Sequence, residues 1–406
     1  MAATRPRTSQ KTALFTESVI REMTRLALQH GAVNLSQGFP DFPAPDFIKD
    51  AARAAIQDNN NQYSVTWGAK PLRDAIAADL TRRYGRHVDP DTQVTVCCGA
   101  TETMIATLLA IVDPGDEIVV FEPFYENYGP DSILSGAVPK YVPLHPPRAR
   151  HEDWWFDADD LARAFSNRTR AVIINTPNNP TGKVFTRAEL SAIAAECQKW
   201  GAIAITDEIY EHIVFDAAEH VPMAMIDGMA DRTVTINSTS KTFSVTGWRV
   251  GWAVAPPDIA PAIRKVHDFL TVGAATPLQA AAAAALSTGA TYFPELRASY
   301  QARRDRLLGI LDGAGFEPFV PRGAYYIMAG IDAFGVPDDR AFAEYLVAEV
   351  GVACVPASSF FRPHAAVKNL VRFCFCKSAE TLTAAGERFA RGLRPAEIPQ
   401  AASRNS

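Results

Sequence analysis

The chain has 406 residues, of which 48% are hydrophobic and 21% charged, and its formal net charge is −5. It contains no long basic run to attract a nucleic acid or an anionic membrane, no secretory signal, and no stretch of about 20 apolar residues to span a membrane. This composition predicts a cytoplasmic globular protein, and its length predicts two structural lobes.

From residue 92 onward, short apolar runs alternate with longer amphipathic segments. In chain order the runs are TQVTVCC, EIVVFEP, VPKYVPL, RAVIINTP, AIAITDEIY, RTVTINS and VGWAVAP. Helical patterns such as RAELSAIAAECQKWG (187–201) separate several of them. Strands that are apolar on both faces and joined by helices predict a mostly parallel sheet covered on both sides. The expected fold class is therefore α/β, with right-handed crossovers.

The pattern changes after Thr291, where a long amphipathic stretch leads into alternating helices and a few strands. We expect residues 51–294 to form a large domain and residues 295–394 a smaller α+β domain. Residues 1–50 are too short to form a lobe alone, so they are expected to form an N-terminal arm and part of the small domain. Residues 395–406 are polar and contain Pro399, which predicts a flexible tail.

The ends of four predicted strands carry unusual polar residues, and ligands of parallel sheets bind outside such ends. In CCGATETM, Gly99 ends a strand, and Ala100 and Thr101 begin a helix whose free N–H groups suit a phosphate. An ordinary turn with a threonine cap is the alternative. In NTPNNPTG, Asn179 is placed to donate its amide N–H to a ligand oxygen, although a plain turn also explains the motif.

The third strand end is AIAITDEIY. Asp207 follows a run of apolar and β-branched residues, where a carboxylate needs a cationic partner such as a protonated pyridine nitrogen. Tyr210, three residues later, would reach the same ring. A helix N-cap is the alternative for Asp207.

The fourth strand end, TINSTSKTFSVTGWRVGW, is the most specific. Lys241 follows a strand and a Ser/Thr-rich turn, as expected for a lysine that forms a Schiff base. Ser238 and Arg249 suit a doubly charged phosphate. Further on, Arg372 lies between apolar neighbours in a predicted strand, where it should face an anion; a substrate carboxylate or a structural salt bridge would fit.

The six cysteines predict reduced, buried thiols. Cys374 and Cys376 are two residues apart and have no second pair at zinc spacing, so no metal site is expected.

Together these motifs resemble the fold-type-I pyridoxal-phosphate (PLP) aminotransferases of class I and II, from about Thr16 to Gly392. The likeness is nearest to the branch with kynurenine aminotransferase (glutamine transaminase K) and the bacterial methionine and aromatic aminotransferases. It is carried by NLSQGFPDFPAPDFI, NQYSVTWGAKPLR, EPFYENY, NTPNNPTGKVF, TDEIYEHIVF, SKTFSVTGWRVGW and VRFCF. The resemblance implies a mostly parallel seven-stranded sheet between helices, a smaller α+β domain, and pyridoxal 5′-phosphate as cofactor.

The resemblance also implies roles for individual residues. Lys241 would hold the cofactor as a Schiff base and later shuttle a proton at the substrate, with Asp207 on the pyridine nitrogen. Asn179 and Tyr210 would bind the ring oxygen of the cofactor, and Tyr125 would stack on the ring face. The phosphate would be bound by Ala100, Thr101, Ser238 and Arg249.

Two further implied contacts concern the neighbouring subunit and the substrate. Tyr63 would reach the phosphate of the neighbouring subunit's cofactor, which implies a homodimer with shared active sites. Arg372 would bind the substrate α-carboxylate, with Gly38 and Asn179 nearby.

The implied activity is the transfer of an α-amino group from an L-amino acid to a 2-oxo acid by a ping-pong mechanism. A β-lyase acting on cysteine conjugates is an alternative, because the same lysine and the same deprotonation at Cα serve both reactions. A regulator that keeps the fold without turnover is a third possibility, disfavoured by the intact catalytic set.

The substrate side chain is not predicted. Where the kynurenine branch has a Trp and a Phe-His pair around the side-chain pocket, this chain has Ile20, Val272 and Gly273, and it has Tyr125 in place of Phe. The aromatic lining is therefore reduced. No second arginine for a dicarboxylic side chain is identifiable.

Overall fold

The computed structural model describes residues 7–393 except 150, 151, 337, 364 and 366. The tail expected at 395–406 lies outside the described residues. The α-helices are α1 Val19–Gln29, α2 Asp46–Gln57, α3 Lys70–Tyr84, α4 Ala100–Ile111, α5 Tyr128–Ser135, α6 Ala158–Ala164, α7 Arg187–Trp200, α8 Thr239–Thr242, α9 Ala260–Thr271, α10 Thr276–Ser287, α11 Gly289–Gly313, α12 Asp339–Tyr345 and α13 Ala379–Gly392.

The strands are β1 Val33–Asn34, β2 Val94–Cys97, β3 Glu117–Glu122, β4 Val138–Pro143, β5 Thr169–Asn175, β6 Ile203–Asp207, β7 Thr233–Ser238, β8 Gly251–Val254, β9 Glu317–Pro318, β10 Tyr326–Gly330, β11 Val352–Ala353, β12 Val355–Pro356 and β13 Leu370–Cys374. Short 3₁₀ helices lie at Gln10–Ala13, Met223–Met225, Ala230–Arg232, Thr246–Trp248, Asp332–Phe334 and Ala357–Phe360, and a π-helical turn lies at Leu346–Val350.

The seven apolar runs form one seven-stranded sheet in the order β2-β8-β7-β6-β5-β3-β4. Strand β8 is antiparallel to both of its neighbours, and the other pairs are parallel. Strands β3, β6 and β7 are buried along their whole length, as their two-sided apolar pattern predicts. The α/β prediction is confirmed.

The helix predicted at 187–201 forms as α7, and the residues at its two ends explain where it begins and where it ends. The Thr186 hydroxyl accepts a hydrogen bond from the Glu189 N–H, and the Glu189 carboxylate accepts one from the Thr186 N–H at 2.8 Å. This reciprocal capping satisfies amides that have no partner inside the helix. Gly201 ends the helix with φ 70°, a left-handed conformation that suits glycine.

A second, four-stranded sheet in the order β12-β13-β10-β9 is antiparallel throughout and belongs to the C-terminal part of the chain. Strand β1 pairs in parallel with β11, with Val33 opposite Val352. The N-terminal segment is therefore hydrogen-bonded to the C-terminal part. None of the helices in the described residues combines the length and apolar character that a membrane crossing requires.

Parallel pairing places the carboxyl ends of β3, β5, β6 and β7 at one edge of the large sheet. Asn175, Asp207 and Ser238 are the last residues of the latter three strands. The polar residues that the sequence places at separate strand ends therefore converge on one region.

Candidate active site

A cleft lies at the carboxyl edge of the large sheet, with about 680 Å³ of empty space including the solvent at its mouth. The structure brings most of the predicted site residues to its wall, namely Ala100, Thr101, Tyr125, Asn179, Asp207, Tyr210, Ser238, Lys241 and Arg249. Residues 100 and 249 are far apart in sequence, so the cleft is a product of the tertiary structure.

Lys241 lies on the short helix α8 directly after β7, and its amine is held inside the cleft. Its Nζ donates a hydrogen bond to the Gly38 carbonyl at 3.2 Å and lies 5.5 Å from the centre of the Tyr325 ring. Burial lowers the pKa of Lys241 to about 8, with the positive charge of Arg249 acting in the same direction. A substantial neutral fraction near physiological pH is what a nucleophilic lysine requires.

Asp207 ends β6 and is 6% exposed. Its Oδ2 accepts a hydrogen bond from the Tyr128 hydroxyl at 2.7 Å. Burial raises the pKa of Asp207 to about 6, although this hydrogen bond and the Ile209 N–H oppose the shift. The residues after Asp207 form turns, so the helix N-cap interpretation is wrong. A carboxylate in this environment is stabilised by a cation placed in the cleft.

The raised pKa of Asp207 predicts that Asp207→Asn stabilises the protein without cofactor. In the unfolded chain the carboxyl group titrates near pH 3.9, so between about pH 4 and pH 6 the folded state holds more protons than the unfolded state. Stability therefore falls as pH rises through that window, by about 2 to 3 kcal/mol. Urea unfolding at neutral pH should show Asp207→Asn more stable by about that amount, and the exposed Asp258→Asn unchanged. Equal stability of wild type and Asp207→Asn would contradict the assignment.

The N-terminus of α4 and the Arg249 side chain meet at Gly99. Gly99 precedes α4 with φ 86°, and a Cβ atom there would collide with the Arg249 guanidinium. The helix has no side-chain N-cap, so the threonine-cap interpretation is wrong, and Ala100 and Thr101 of its first turn line the cleft. Ser238, the N-cap residue of α8, completes this cationic, donor-rich end.

Arg372 is fully buried on β13, and its guanidinium is directed at Asn179 and the N-terminal segment. Nη1 donates to Asn179 Oδ1 at 2.8 Å, and Nη2 donates to the Ser36 carbonyl at 2.6 Å. Its Nε has no hydrogen-bond partner within the described part of the chain. Both acceptors are neutral, so these contacts do not form the structural salt bridge that was the alternative. An anion in the cleft is the natural counter-charge.

Asn179 and Gly38 lie beside this guanidinium. Because Asn179 Oδ1 accepts from Arg372, the donating half of the amide is the half available to a ligand, in agreement with the sequence interpretation. A Cβ atom at Gly38 would collide with the Tyr326 hydroxyl, so glycine is required there. The Gly38 carbonyl also accepts from the Tyr325 hydroxyl at 2.8 Å.

Three tyrosines that the sequence analysis missed contribute to the site. The Tyr128 hydroxyl donates a hydrogen bond to Asp207, and the Tyr325 ring lies beside Lys241. The hydroxyl oxygens of Tyr326 and Tyr210 are 3.1 Å apart. The only sequence signals were the second tyrosine of EPFYENY and the pair in GAYYIM. Tyr125, placed in the sequence analysis on the ring face, lies edge-on to Tyr128 at 5.8 Å between ring centres.

Three predicted site residues are not part of the cleft wall. Gly38 and Arg372 lie directly behind it, hydrogen-bonded to Lys241 and Asn179, whereas Tyr63 points away from it. The Tyr63 side chain is 87% exposed. It lies in the segment before α3, which is fixed by hydrogen bonds from Thr276 Oγ1 to the Gln62 carbonyl and from Gln279 to the Ser64 hydroxyl.

The polar groups of the cleft fit a phosphorylated pyridine aldehyde. One end offers helix amides and a guanidinium for a phosphate, the middle offers a buried carboxylate for a cationic nitrogen, and Lys241 offers an amine for an aldehyde. The collision that any side chain at Gly99 would make with Arg249 shows that this end is closely packed.

Comparison with known proteins agrees with this geometry. The family described as Aminotransferase class I and II matches residues 30–389. An N-succinyldiaminopimelate aminotransferase of Mycobacterium tuberculosis is 43% identical over 92% of this chain and 96% of its own length, and kynurenine–oxoglutarate transaminase 3 of Mus musculus is 38% identical over 91% and 86%. The solved structure of a methionine aminotransferase of Escherichia coli has a TM-score of 0.89 and 36% identity, over 95% of this chain and 99% of that chain.

These matches cover nearly the whole chain and confirm the resemblance seen in the motifs, including its likeness to kynurenine and methionine aminotransferases. The family uses pyridoxal 5′-phosphate, for which the cleft has the required amine, carboxylate and phosphate-binding groups. The chain belongs to the class I and II aminotransferases.

Proposed function

We propose that this enzyme moves the α-amino group of an L-amino acid to a 2-oxo acid in a ping-pong cycle, with Lys241 as the reacting amine. The observation that carries the proposal is the placement of three groups around one cleft. These are an amine whose pKa is lowered to about 8, the buried carboxylate of Asp207, and the buried Arg372 with no acidic partner among its hydrogen bonds.

The cofactor would be held along the whole cleft. Its phosphate would lie against Ala100, Thr101, Ser238 and Arg249, its ring nitrogen against Asp207, and its ring oxygen against Asn179 and Tyr210. Bound there, pyridoxal 5′-phosphate supplies an aldehyde that links to amines and a cationic ring that withdraws electrons from the substrate Cα.

The chain's own residues then move and hold the protons. Lys241 Nζ, once neutral, accepts the proton from the substrate Cα and returns a proton to the product-forming carbon. Asp207 keeps the ring nitrogen protonated, and the Tyr128 hydroxyl fixes the orientation of its carboxylate. Arg372 binds the substrate α-carboxylate through its planar fork, with Asn179 and Gly38 beside it.

A half-reaction tests this function. The enzyme loaded with pyridoxal 5′-phosphate is mixed with single amino acids, and conversion of its absorption band to that of the pyridoxamine form is followed. We expect conversion with at least one L-amino acid and its reversal by a 2-oxo acid. A complete absence of conversion with bound cofactor would support the regulator instead.

The β-lyase is the second candidate and differs in its products. Formation of pyruvate and ammonia from a cysteine conjugate, without a 2-oxo acid acceptor, would identify it. The panel should include kynurenine, methionine and N-succinyldiaminopimelate, the substrates named for relatives of this chain. The positions at which we expect the side-chain pocket to differ from the kynurenine branch are Ile20, Tyr125, Val272 and Gly273.

We also propose that residues 51–294 form the cofactor-binding domain, that residues 295–394 with the N-terminal segment form the small domain, and that the enzyme is a cytoplasmic homodimer. The exposed Tyr63 supports the dimer, because a predicted phosphate ligand is turned to the surface. Exposed apolar side chains on and after α9, Phe269 at 93% and Val272 at 45%, offer apolar surface of the kind that subunit interfaces bury.

A mixing experiment tests the shared site. Tyr63→Phe is expected to weaken cofactor binding about tenfold, because one hydrogen bond to a charged phosphate is lost. A hybrid dimer of Tyr63→Phe with Lys241→Ala carries one site with both wild-type residues and one site with neither. At a cofactor concentration well below the Kd of Tyr63→Phe, activity well above the sum of the two separate variants is expected. Strictly additive activity, despite exchanged subunits, would place Tyr63 outside the site.

A further inference from the structure

We propose that His267 is a positioning residue for the cofactor phosphate: as an imidazolium it ties the first turn of α4 to the segment that carries Tyr63. The inference rests on the proposed function, which places the phosphate at the N-terminus of α4. His267 lies on α9 with its side chain fully buried, and it is not part of the cleft wall.

The imidazole ring bridges two elements that are distant in sequence. Its Nδ1 lies 3.1 Å from each carboxylate oxygen of Glu102, which is in the first turn of α4. Its Nε2 lies 3.0 Å from the Thr66 carbonyl oxygen. The Thr271 hydroxyl lies 3.2 Å from Nδ1.

These partners favour a charged ring. A backbone carbonyl can only accept, so Nε2 must carry a hydrogen. Nδ1 lies 3.1 Å from both Glu102 carboxylate oxygens, so a hydrogen on Nδ1 has acceptors as well. Both nitrogens donate only in the imidazolium form, and the two contacts are then charge-assisted hydrogen bonds.

The other groups around the ring agree with this charge state. Burial by itself lowers the pKa of His267, but the hydrogen bond and charge of Glu102, the Thr66 carbonyl and the charge of Asp268 raise it above its ordinary value. Cys97 on β2 faces the same cluster. Burial, followed by the charge of Glu102, raises the pKa of the Cys97 thiol, which therefore stays neutral.

Glu102 and Thr66 are each close in sequence to a residue proposed to contact the phosphate. Glu102 also accepts a hydrogen bond from the Cys98 N–H at 2.9 Å, and so fixes the turn before Ala100. Thr66 is three residues beyond Tyr63. The charged ring of His267 thus fixes the turn before Ala100 relative to the segment that carries Tyr63. That segment is proposed to contact the cofactor of the partner subunit.

The experiment measures binding of pyridoxamine 5′-phosphate, which needs no covalent link to Lys241. Full-length wild type, His267→Gln and Glu102→Gln are loaded with this compound, and its Kd is measured by equilibrium dialysis from about pH 6 to pH 9. Lys265→Gln, an exposed change on the same helix, is the matched control. Circular dichroism of each variant reports folding.

Because the pKa of His267 is raised, the imidazolium and its hydrogen bonds to Glu102 and the Thr66 carbonyl are present at low pH. They are lost as pH rises through that pKa. We expect His267→Gln to bind about tenfold more weakly than wild type at the acid end, where two charge-assisted hydrogen bonds are lost, and the two to converge at the alkaline end. In Glu102→Gln the loss of affinity should begin at lower pH, since the carboxylate that raises the pKa is gone.

Identical pH profiles for wild type, His267→Gln and Glu102→Gln would overturn the inference. If His267→Gln does not fold, the shift between wild type and Glu102→Gln decides. A wild type that binds no pyridoxamine 5′-phosphate at any pH contradicts the proposed function instead, so the two failures are distinguishable.

Discussion

Replacing Lys241 by alanine is expected to lower the rate of amino-group transfer by about 10⁴-fold or more. The variant loses both the nucleophile and the base, because the same Nζ atom serves as each. Cofactor binding should persist, since Asp207, Arg249 and the α4 amides are unchanged. The protein would therefore bind the cofactor but not link to it.

The measurement is the half-reaction with a good amino-acid donor, followed by absorbance in single turnover. Lys265→Ala, an exposed lysine on α9, is the matched control and should keep the wild-type rate. Added methylamine should restore part of the lost rate, because it can occupy the space left by the lysine side chain. A Lys241→Ala enzyme that turns over like wild type would remove Lys241 from the mechanism.

The lowered pKa of Lys241 also sets the pH dependence of covalent linkage. The amine reacts only when neutral, and its neutral fraction rises as pH increases through about 8. The rate of linkage between the cofactor-free enzyme and pyridoxal 5′-phosphate should therefore increase with pH and level off above that value.

The second large effect is expected for Arg372→Lys, which should lower kcat/KM about a hundredfold for both the amino acid and the oxo acid. Lysine keeps the charge but cannot donate two parallel hydrogen bonds while also contacting Asn179 and the Ser36 carbonyl. Both half-reactions should suffer, because the α-carboxylate is common to all substrates.

Arg388→Lys is the control for this change. Arg388 also donates to backbone carbonyls, those of Gly31 and Gly351, but unlike Arg372 it has no hydrogen-bond partner in the cleft wall. Its replacement should affect stability without a common loss of affinity for both substrates. If Arg372→Lys leaves KM for both substrates unchanged, the α-carboxylate must be bound elsewhere.

Most of the fold was predictable because its signals are local. Each of the seven strands of the large sheet is a short apolar run, and a buried parallel strand needs no information beyond its own residues to be recognised. The polar residues at strand ends were predictable for the same reason. Asp207 is conspicuous directly after IAIT, and Lys241 directly after a strand and a Ser/Thr-rich turn.

The contacts between distant segments were not predictable from pattern. Nothing in EPFYENY shows that its second tyrosine, Tyr128, donates to Asp207, because the two are joined only by the pairing of strands. The helix N-cap that was the alternative for Asp207 does not form, for a related reason. The chain turns after β6 toward Tyr210 and its contact with Tyr326, and tertiary packing outweighs the local capping preference.

The amino-acid sequence alone determined the α/β architecture and pointed to Lys241 as the candidate reacting amine, since hydrophobic periodicity and a strand-end lysine are read within a few residues. The tertiary structure decided the chemical state of those groups. Lys241 has a lowered pKa, and Asp207 and His267 have raised ones, because burial and partners from remote segments set these properties. A pKa depends on which charges and dipoles surround a group, and only folding brings them together.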